Sequence, residues 1–557
     1  MNFEAEYQRW LANVDDLETK KELETVKGHS SEIEDRFYRE LEFGTGGLRG
    51  VLGAGTNRMN IYTVGKATQG YSDYLNTHFP QPSVAIAYDS RIHSDLFART
   101  AAEVFAANGI QVHLYPHLMP TPSLSFAVRD LHCSGGIVIT ASHNPAKYNG
   151  YKVYGADGCQ ITTEAAKEIQ TVIDRVDAFV DVQQLPFDTA LSQSKITYIG
   201  EDAISRYLQA IGTASVLPEN VSRDVSIVYT PLNGAGISCV PRCLAEHGFS
   251  NITIPDEQKN PNGNFPTCPF PNPEIREALN VGLVWAERTG SELLLATDPD
   301  CDRVGVAVRS GESYKLISGN EMGALLLDFV CRMRLEASTM PAHPVAVKTI
   351  VTTPMAQKIA EHYGVELRNV LTGFKFIGEQ IGLLEKVGQA ERYIFGFEES
   401  YGYLSGSFVR DKDAVNASLL ICEMFAWYKA QGMSLTDALS TLFEEYGCYQ
   451  AKLLSFTFDG SAGFDKMQRL MNALRENPPT ELGGHAVTGL EDYLLPHEGL
   501  PKSNVLRFFL GSGEAVVRPS GTEPKLKVYL TATATSREEG DRRLAQLEEW
   551  FALWAKK

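Results

Sequence analysis

Three times along the chain, a short apolar run passes through a turn into a helix-spaced segment, a glycine and a second apolar run. The first copy holds Val84-Ala85-Ile86-Ala87-Tyr88, the turn Asp89-Ser90-Arg91, a helix from Leu96 to Asn108, Gly109 and a strand at Val112. The second holds Val225 to Tyr229, Pro231-Leu232-Asn233-Gly234, a helix to His247, Gly248 and Ile252-Thr253-Ile254. The third holds Val345 to Val351, Thr353-Pro354, a helix from Met355 to Tyr363 and Gly364-Val365. Strand, helix, glycine and strand in that order predict βαβ units with parallel strands. Each copy also has a later apolar strand that runs into a polar loop. Ile137-Val138-Ile139 leads to Ser142, Leu293-Leu294-Leu295 to Asp298, and Tyr393-Ile394-Phe395 to Glu398.

The remaining stretches frame these repeats. Trp10, Leu11, Val14, Leu17 and Leu23 recur at helical spacing and predict one or two capping helices before residue 40. Ala203 to Ile211 and Val415 to Gln431 read as linking helices, and the proline-rich stretch from Lys259 to Pro273 as an irregular loop. Beyond residue 448 the texture changes. Leu453 to Phe458 alternates, a helix spans Phe464 to Arg475, strands recur at Val505 to Leu510 and Leu526 to Thr531, and a helix closes Arg537 to Ala555. That pattern predicts a smaller α+β unit with an antiparallel sheet. The expected fold class is α/β: an N-terminal helical extension (1–40), three similar α/β domains with mixed, mostly parallel sheets (41–200, 201–318, 319–447) and a C-terminal α+β domain (448–557). Their functional loops are expected to converge on a central cleft.

Composition narrows the partners. With 43% hydrophobic and 22% charged residues, the 557-residue chain has the make-up of a globular protein with ample core. A formal charge of −18 argues against nucleic acid or an anionic membrane, so an anionic small molecule must be drawn by local basic groups. Nine cysteines without tight spacing point to a reducing compartment rather than a disulfide framework. No apolar run approaches a membrane span, and Met1 to Trp10 lacks the apolar core of a signal peptide, so a cytoplasmic location is expected.

The polar loops carry the candidate chemistry. Ser142 stands in Thr140-Ala141-Ser142-His143-Asn144-Pro145, at the carboxyl end of a buried strand where α/β proteins bind ligands. Asp298, Asp300 and Asp302 alternate on one short loop, an oxygen-only set suited to Mg2+, Mn2+ or Ca2+. An EF-hand is excluded, because Arg303 and Arg309 stand where its glycine and glutamate belong. A phosphatase using Asp298 as nucleophile fits less well, since Cys301-Asp302 occupy the places of its glycine and hydroxyl residue. Arg303 and a divalent ion would reverse the repulsion between these acids and a phosphate. Lys152 is a candidate acid or base, with a pKa lowered by neighbouring cations. Glu398 and Ser400 suit vicinal sugar hydroxyls, with Thr372-Gly373-Phe374-Lys375 beside them. Arg518-Pro519-Ser520-Gly521-Thr522-Glu523-Pro524-Lys525 has the donors of a phosphate-binding loop. Phe43-Gly44-Thr45-Gly46-Gly47-Leu48-Arg49-Gly50 reads as a glycine-rich loop whose Arg49 adds a cation.

Together the four loops resemble the signature loops of the α-D-phosphohexomutases, in the same order and across nearly the whole chain from Phe43 onward. The N-terminal extension, the Phe43–Gly50 loop and Gly373-Phe374-Lys375 are similar to the longer branch, which includes bacterial phosphoglucomutases and phosphopentomutases. Lys375 stands where the phosphomannomutase/phosphoglucomutase branch has histidine, and Cys301 replaces a frequent glycine. The resemblance implies four domains around a cleft and a phosphoserine at Ser142, with His143, Lys152, Arg49 and Arg303 as further catalytic residues. It implies Mg2+ held by Asp298, Asp300, Asp302 and the phosphorylated Ser142, and substrate contacts from Thr372, Gly373, Lys375, Glu398, Ser400, Arg518, Ser520, Gly521, Thr522 and Lys525. The implied activity interconverts glucose 1-phosphate and glucose 6-phosphate through glucose 1,6-bisphosphate, in a monomer or homodimer. Pentose or mannose phosphates are the alternative substrates. A metal-dependent phosphatase and a sugar-phosphate-binding regulator are the alternatives of another class.

Overall fold

The computed structural model describes the whole chain except residues 1, 45, 459, 498, 521–524 and 557, and the side chains of 460–462. Four sheets organise it. The first runs Gly47–Val51, Tyr148–Gly155, Gly135–Ile139, Ser83–Tyr88, Gln111–Leu114, Ile196–Tyr198 across its width, and Tyr148–Gly155 alone is antiparallel to its neighbours. In the second, Ser313–Ile317, Val304–Ser310, Leu293–Thr297, Ile227–Thr230 and Ile252–Thr253 lie side by side, with Val304–Ser310 antiparallel to both neighbours. The third holds Glu366–Val370, Val345–Thr349, Tyr393–Glu398 and the antiparallel Gly402–Leu404. The fourth, from Cys448–Thr457 to Lys525–Ala534, is antiparallel throughout. The expected α/β architecture is present.

The three candidate loops are one structural feature repeated. Each joins the last parallel strand of a sheet to the antiparallel strand beside it. Each contains a non-glycine residue in the left-handed region: Ser142 (φ 53°), Cys301 (φ 53°) and Tyr401 (φ 66°). Such a residue reverses the chain sharply and turns the loop away from the sheet.

One face of each of the first two sheets, the third sheet and the helices between them merge into one apolar cluster, from Ala85 to Leu442, while the other faces of the first two sheets have cores of their own. The linking helices Glu201–Gly212 and Ala414–Ala430 are part of it, and Tyr207 Oη donates to Asp413 Oδ2 at 2.9 Å between them. The fourth sheet has its own core around Met471, Phe508 and Phe551. It docks on the third through a smaller patch in which Ile350, Val351 and Leu371 meet Tyr493, Val516 and Tyr529.

Two expectations are corrected. Three N-terminal helices form, Phe3–Asn13, Leu17–Thr25 and Ser30–Phe37, because Val14 turns extended and Asp16 caps a new start. Tyr7, Trp10, Leu23, Ile33 and Phe37 pack them into one small core. The glycine-rich stretch before Arg49 is not only a loop, since Gly47–Val51 is an edge strand paired with Tyr148–Gly155. Gly47 is required there, because a Cβ would fall 1.8 Å from the Tyr151 carbonyl oxygen.

Candidate active site

The serine loop is held from below. Thr140 Oγ1 donates to Asp89 Oδ2 at 2.6 Å and accepts the Ser142 amide at 2.8 Å. The buried Arg91 guanidinium donates to the carbonyl oxygens of Ser142 (2.5 Å), Pro145 (3.0 Å), Tyr148 (3.0 Å) and Asn144. So fixed, Ser142 Oγ donates to Asp298 Oδ2 at 3.0 Å and lies 3.0 Å from His143 Nδ1. Burial first, then Arg303 and Arg49, hold the His143 imidazole well below its usual pKa and therefore neutral.

Asp298, Asp300 and Asp302 are all buried, and their ligand atoms lie within 4.8 Å of one another. Asp298 Oδ1 accepts the amides of Asp302 and Arg303, each at 3.1 Å, which shapes the loop. Burial and the two neighbouring carboxylates push Asp298 well up. Asp302 goes the other way: burial opposes ionisation, but Lys412, Lys152 and Arg303 outweigh it. Asp300 Oδ1 and Asp302 Oδ1 are buried without a hydrogen-bond partner. Crowded carboxylates with orphaned oxygens and no softer donor fit a hard divalent cation.

Lys152 corrects the expectation of a lowered pKa. Its Nζ lies 2.7 Å from Asp300 Oδ2 and 3.3 Å from Asp302 Oδ2. Burial alone would lower its pKa, but Asp300 and Asp302 carry the balance upward, so it is held as a cation. Arg303 donates to Glu274 Oε1 at 2.6 Å.

Above these groups opens a cleft of about 880 Å³ lined from all four sheets. Arg49 and His143 enter from the first, Arg303 from the second, Thr372, Gly373, Glu398 and Ser400 from the third, and Arg518 and Lys525 from the fourth. Arg49 Nη1 reaches Asn144 Oδ1 at 3.5 Å. Burial, against the pull of Lys412, pushes the Glu398 carboxyl up to about 7. Lys375 lies in the helix Phe374–Lys386 with its ammonium 5.4 Å from the Phe376 ring, and is not among the residues lining the cleft. The Ser520 amide donates to Lys525 O at 2.7 Å. Gly521 and Thr522 lie outside the described residues.

Four family models match in order: phosphoglucomutase/phosphomannomutase α/β/α domains I (residues 40–179), II (205–311) and III (318–446) and the C-terminal domain (470–549). The chain belongs to the phosphoglucomutase/phosphomannomutase family. A phosphoglucomutase of Staphylococcus aureus is 36% identical over 540 residues, covering 94% of each chain. Among solved structures, a phosphomannomutase described as putative, from Thermus thermophilus, superimposes with a TM-score of 0.67 at 23% identity, over 91% of this chain and 99% of its own. The phosphoglucomutase pp63/parafusin from Paramecium gives a TM-score of 0.70 at 18% identity, over 93% and 96%.

Around this cleft, several contributors escaped the sequence reading. Lys412 Nζ bridges the acidic and sugar loops, 3.1 Å from Asp302 Oδ2 and 4.0 Å from Glu398 Oε1. Thr121, carried on the first domain, donates through its amide to Asp300 O at 2.8 Å and through Oγ1 to Asp300 Oδ2 at 2.9 Å. Lys527 and Tyr529 join Arg518 on the cleft wall. For Lys527 the signal was present, since the alternation of Lys525, Lys527 and Tyr529 along a strand puts them on one face. For Lys412 and Thr121 there was none beyond their residue types. All nine cysteines are buried and unpaired. Among the described residues no helix is long and apolar enough to cross a membrane.

Proposed function

We propose that the protein is a phosphoglucomutase that interconverts glucose 1-phosphate and glucose 6-phosphate through a phosphoserine at position 142. The observation that carries this reading is the 3.0 Å contact of Ser142 Oγ with Asp298, directly behind His143 and Arg303 in the wall of a cleft to which all four domains contribute. The phosphoryl group on Ser142 Oγ passes to the free hydroxyl of the bound sugar phosphate. The serine O–P bond breaks as the sugar O–P bond forms; the sugar hydroxyl gives up its proton and the leaving Ser142 Oγ gains one, which His143 Nδ1, 3.0 Å from Oγ, is placed to deliver. Glucose 1,6-bisphosphate results, turns over in the cleft, and returns its other phosphoryl group to Ser142.

The neighbouring side chains have distinct parts. Asp298, Asp300 and Asp302 would hold Mg2+, which when bound supplies Lewis-acid stabilisation of charge on the transferring group. Lys152, Arg303 and Arg49 surround the same phosphoryl group as fixed cations. Glu398 and Ser400 orient the sugar hydroxyls, and Arg518 and Lys525 hold the phosphate that is not reacting.

The test compares turnover of glucose, mannose, glucosamine, ribose and deoxyribose 1-phosphates side by side. Isomerisation is expected, fastest with the glucose ester. Faster turnover of a pentose ester would move the assignment to phosphopentomutase, and net release of inorganic phosphate would indicate a phosphatase.

A further inference from the structure

The proline-rich loop between Ile254 and Glu274 is irregular over its length, yet buried side chains and hydrogen bonds fasten it down. Gln258 is fully buried, accepts Thr230 Oγ1 at 2.7 Å and donates to Thr267 Oγ1 at 2.9 Å. Asn233 Nδ2 donates to Asn260 O at 2.8 Å, and its carbonyl accepts the Asn262 amide at 2.9 Å. The loop is thereby fastened to the βα turn of the second sheet, and from there it reaches the first domain. A Cβ on Gly263 would fall 2.4 Å from the Ile92 amide nitrogen and 2.7 Å from Ser90 O, so the two backbones pass in direct contact. The next buried side chain, Phe265, holds φ at 45° and places its ring 5.1 Å from the Arg91 guanidinium carbon.

Arg91 is the group that gathers four carbonyl oxygens of the serine loop. With its Nη atoms given to these four oxygens, the guanidinium packs against an aromatic ring. Glu274, just past the same loop, holds Arg303 at 2.6 Å. One segment of the second domain therefore braces both the serine loop and the arginine beside it.

We propose that this proline-rich loop is a positioning device for the serine loop, with Phe265 acting through Arg91 to keep Ser142 in the left-handed geometry that aims Oγ at Asp298. The inference deepens the proposed function and rests on it for its kinetic consequence; its structural consequence stands apart. Loss of the ring frees Arg91 to swing, and the carbonyls it gathers lose a common anchor. Misplacement of Oγ acts on the transfer step, whereas the sugar and distal phosphate contacts come from the third and fourth domains and stay as they were.

Phe265→Leu and Phe265→Met remove the aromatic face and keep an apolar side chain, and Phe265→Tyr keeps the face. In the full-length protein, kcat with glucose 1-phosphate should fall about tenfold or more in the Leu and Met variants, with KM within about twofold of wild type and Tyr near wild type. Hydrogen exchange of the 141–149 amides should speed up about tenfold in the same two variants, with the Gly135–Ile139 strand unchanged. Unchanged exchange in 141–149 overturns the brace whatever the enzyme's activity. Equal losses in Tyr, Leu and Met, or a raised KM at constant kcat, overturn the role assigned to the ring. Faster exchange in a protein whose wild type turns over no sugar phosphate would uphold the brace and sink the functional reading.

Discussion

Cys301 lies at the centre of the acidic loop with φ at 53° and no exposed surface. That conformation is one glycine adopts freely, whereas a side chain there costs about 1 kcal/mol or more. The thiol lies outside the three-carboxylate cluster and returns part of that cost through packing. Cys301→Gly should change stability by no more than about 1 kcal/mol, strain relief offsetting the lost packing and the freer unfolded chain. Its half-saturating Mg2+ concentration should match wild type. A denaturant melt and a metal titration check this, and a large shift in metal dependence would make the thiol a ligand after all. Glu398 gives a pH prediction. Burial raises its carboxyl to about 7, so the group gains its proton, and loses an acceptor for a sugar hydroxyl, as pH falls through that value. KM for glucose 1-phosphate should rise as pH drops from 8 to 6, and in Glu398→Gln it should be higher but flatter across that range. Measuring both proteins removes the contribution of the substrate's own phosphate. At this scale the sequence disclosed the residues that sit in dense motifs, Ser142, the aspartates and Glu398. Arg91, Lys412 and Thr121 act through a fold that brings distant segments together, and no local spacing announces that.

Among the elements, the repeated strand, loop and antiparallel return explains why three chemically different loops face one cleft. Apolar runs ending in polar loops were legible, because strand burial writes a continuous hydrophobic stretch. Gly47–Val51 was not, since its Gly47 serves close approach to Tyr151 and the glycines read locally as a turn. The helix Ala414–Ala430 begins at Asp413, whose Oδ1 accepts the amides of Val415 and Asn416, each at 2.9 Å. Burial nevertheless pushes this carboxyl up to about 7, against those amides and the Tyr207 hydroxyl. A carboxyl with a folded pKa above its unfolded value near 4 contributes stability that is full below about pH 4 and lost as pH rises through about 7. Asp413→Asn keeps the cap and removes the titration. Stability between pH 4 and 7 should therefore slope less steeply in the variant, by up to about 1.4 kcal/mol per pH unit. Denaturant titrations across that range decide it, and equal slopes would show that Asp413 is ionised in the fold.

The whole molecule divides unevenly. The first three sheets share a core, whereas the fourth meets the third through a small apolar patch and the Arg537–Glu321 ion pair at 3.1 Å, with Arg537 over the Phe443 ring at 4.8 Å. The weaker joint is the one that has to give when a bisphosphate turns over, so the fourth domain is the part expected to swing. Arg537→Ala, far from the transferred phosphate, should raise KM a few-fold for both glucose phosphates and increase the glucose 1,6-bisphosphate released per turnover. A trapping assay for free bisphosphate measures this, and an effect confined to one substrate would argue against a shared swing.

The phosphate carried on Ser142 is the claim on which the rest depends. Peptide mass spectrometry after incubation with glucose 1,6-bisphosphate and Mg2+ tests it directly, alongside the mutase rate of the same sample. The account predicts one phosphoryl group on the peptide bearing Ser142, removed again by glucose 6-phosphate, and neither phosphate nor turnover in Ser142→Ala. Wild-type protein that isomerises glucose 1-phosphate while Ser142 stays unmodified, or a Ser142→Ala variant that keeps its rate, would contradict it.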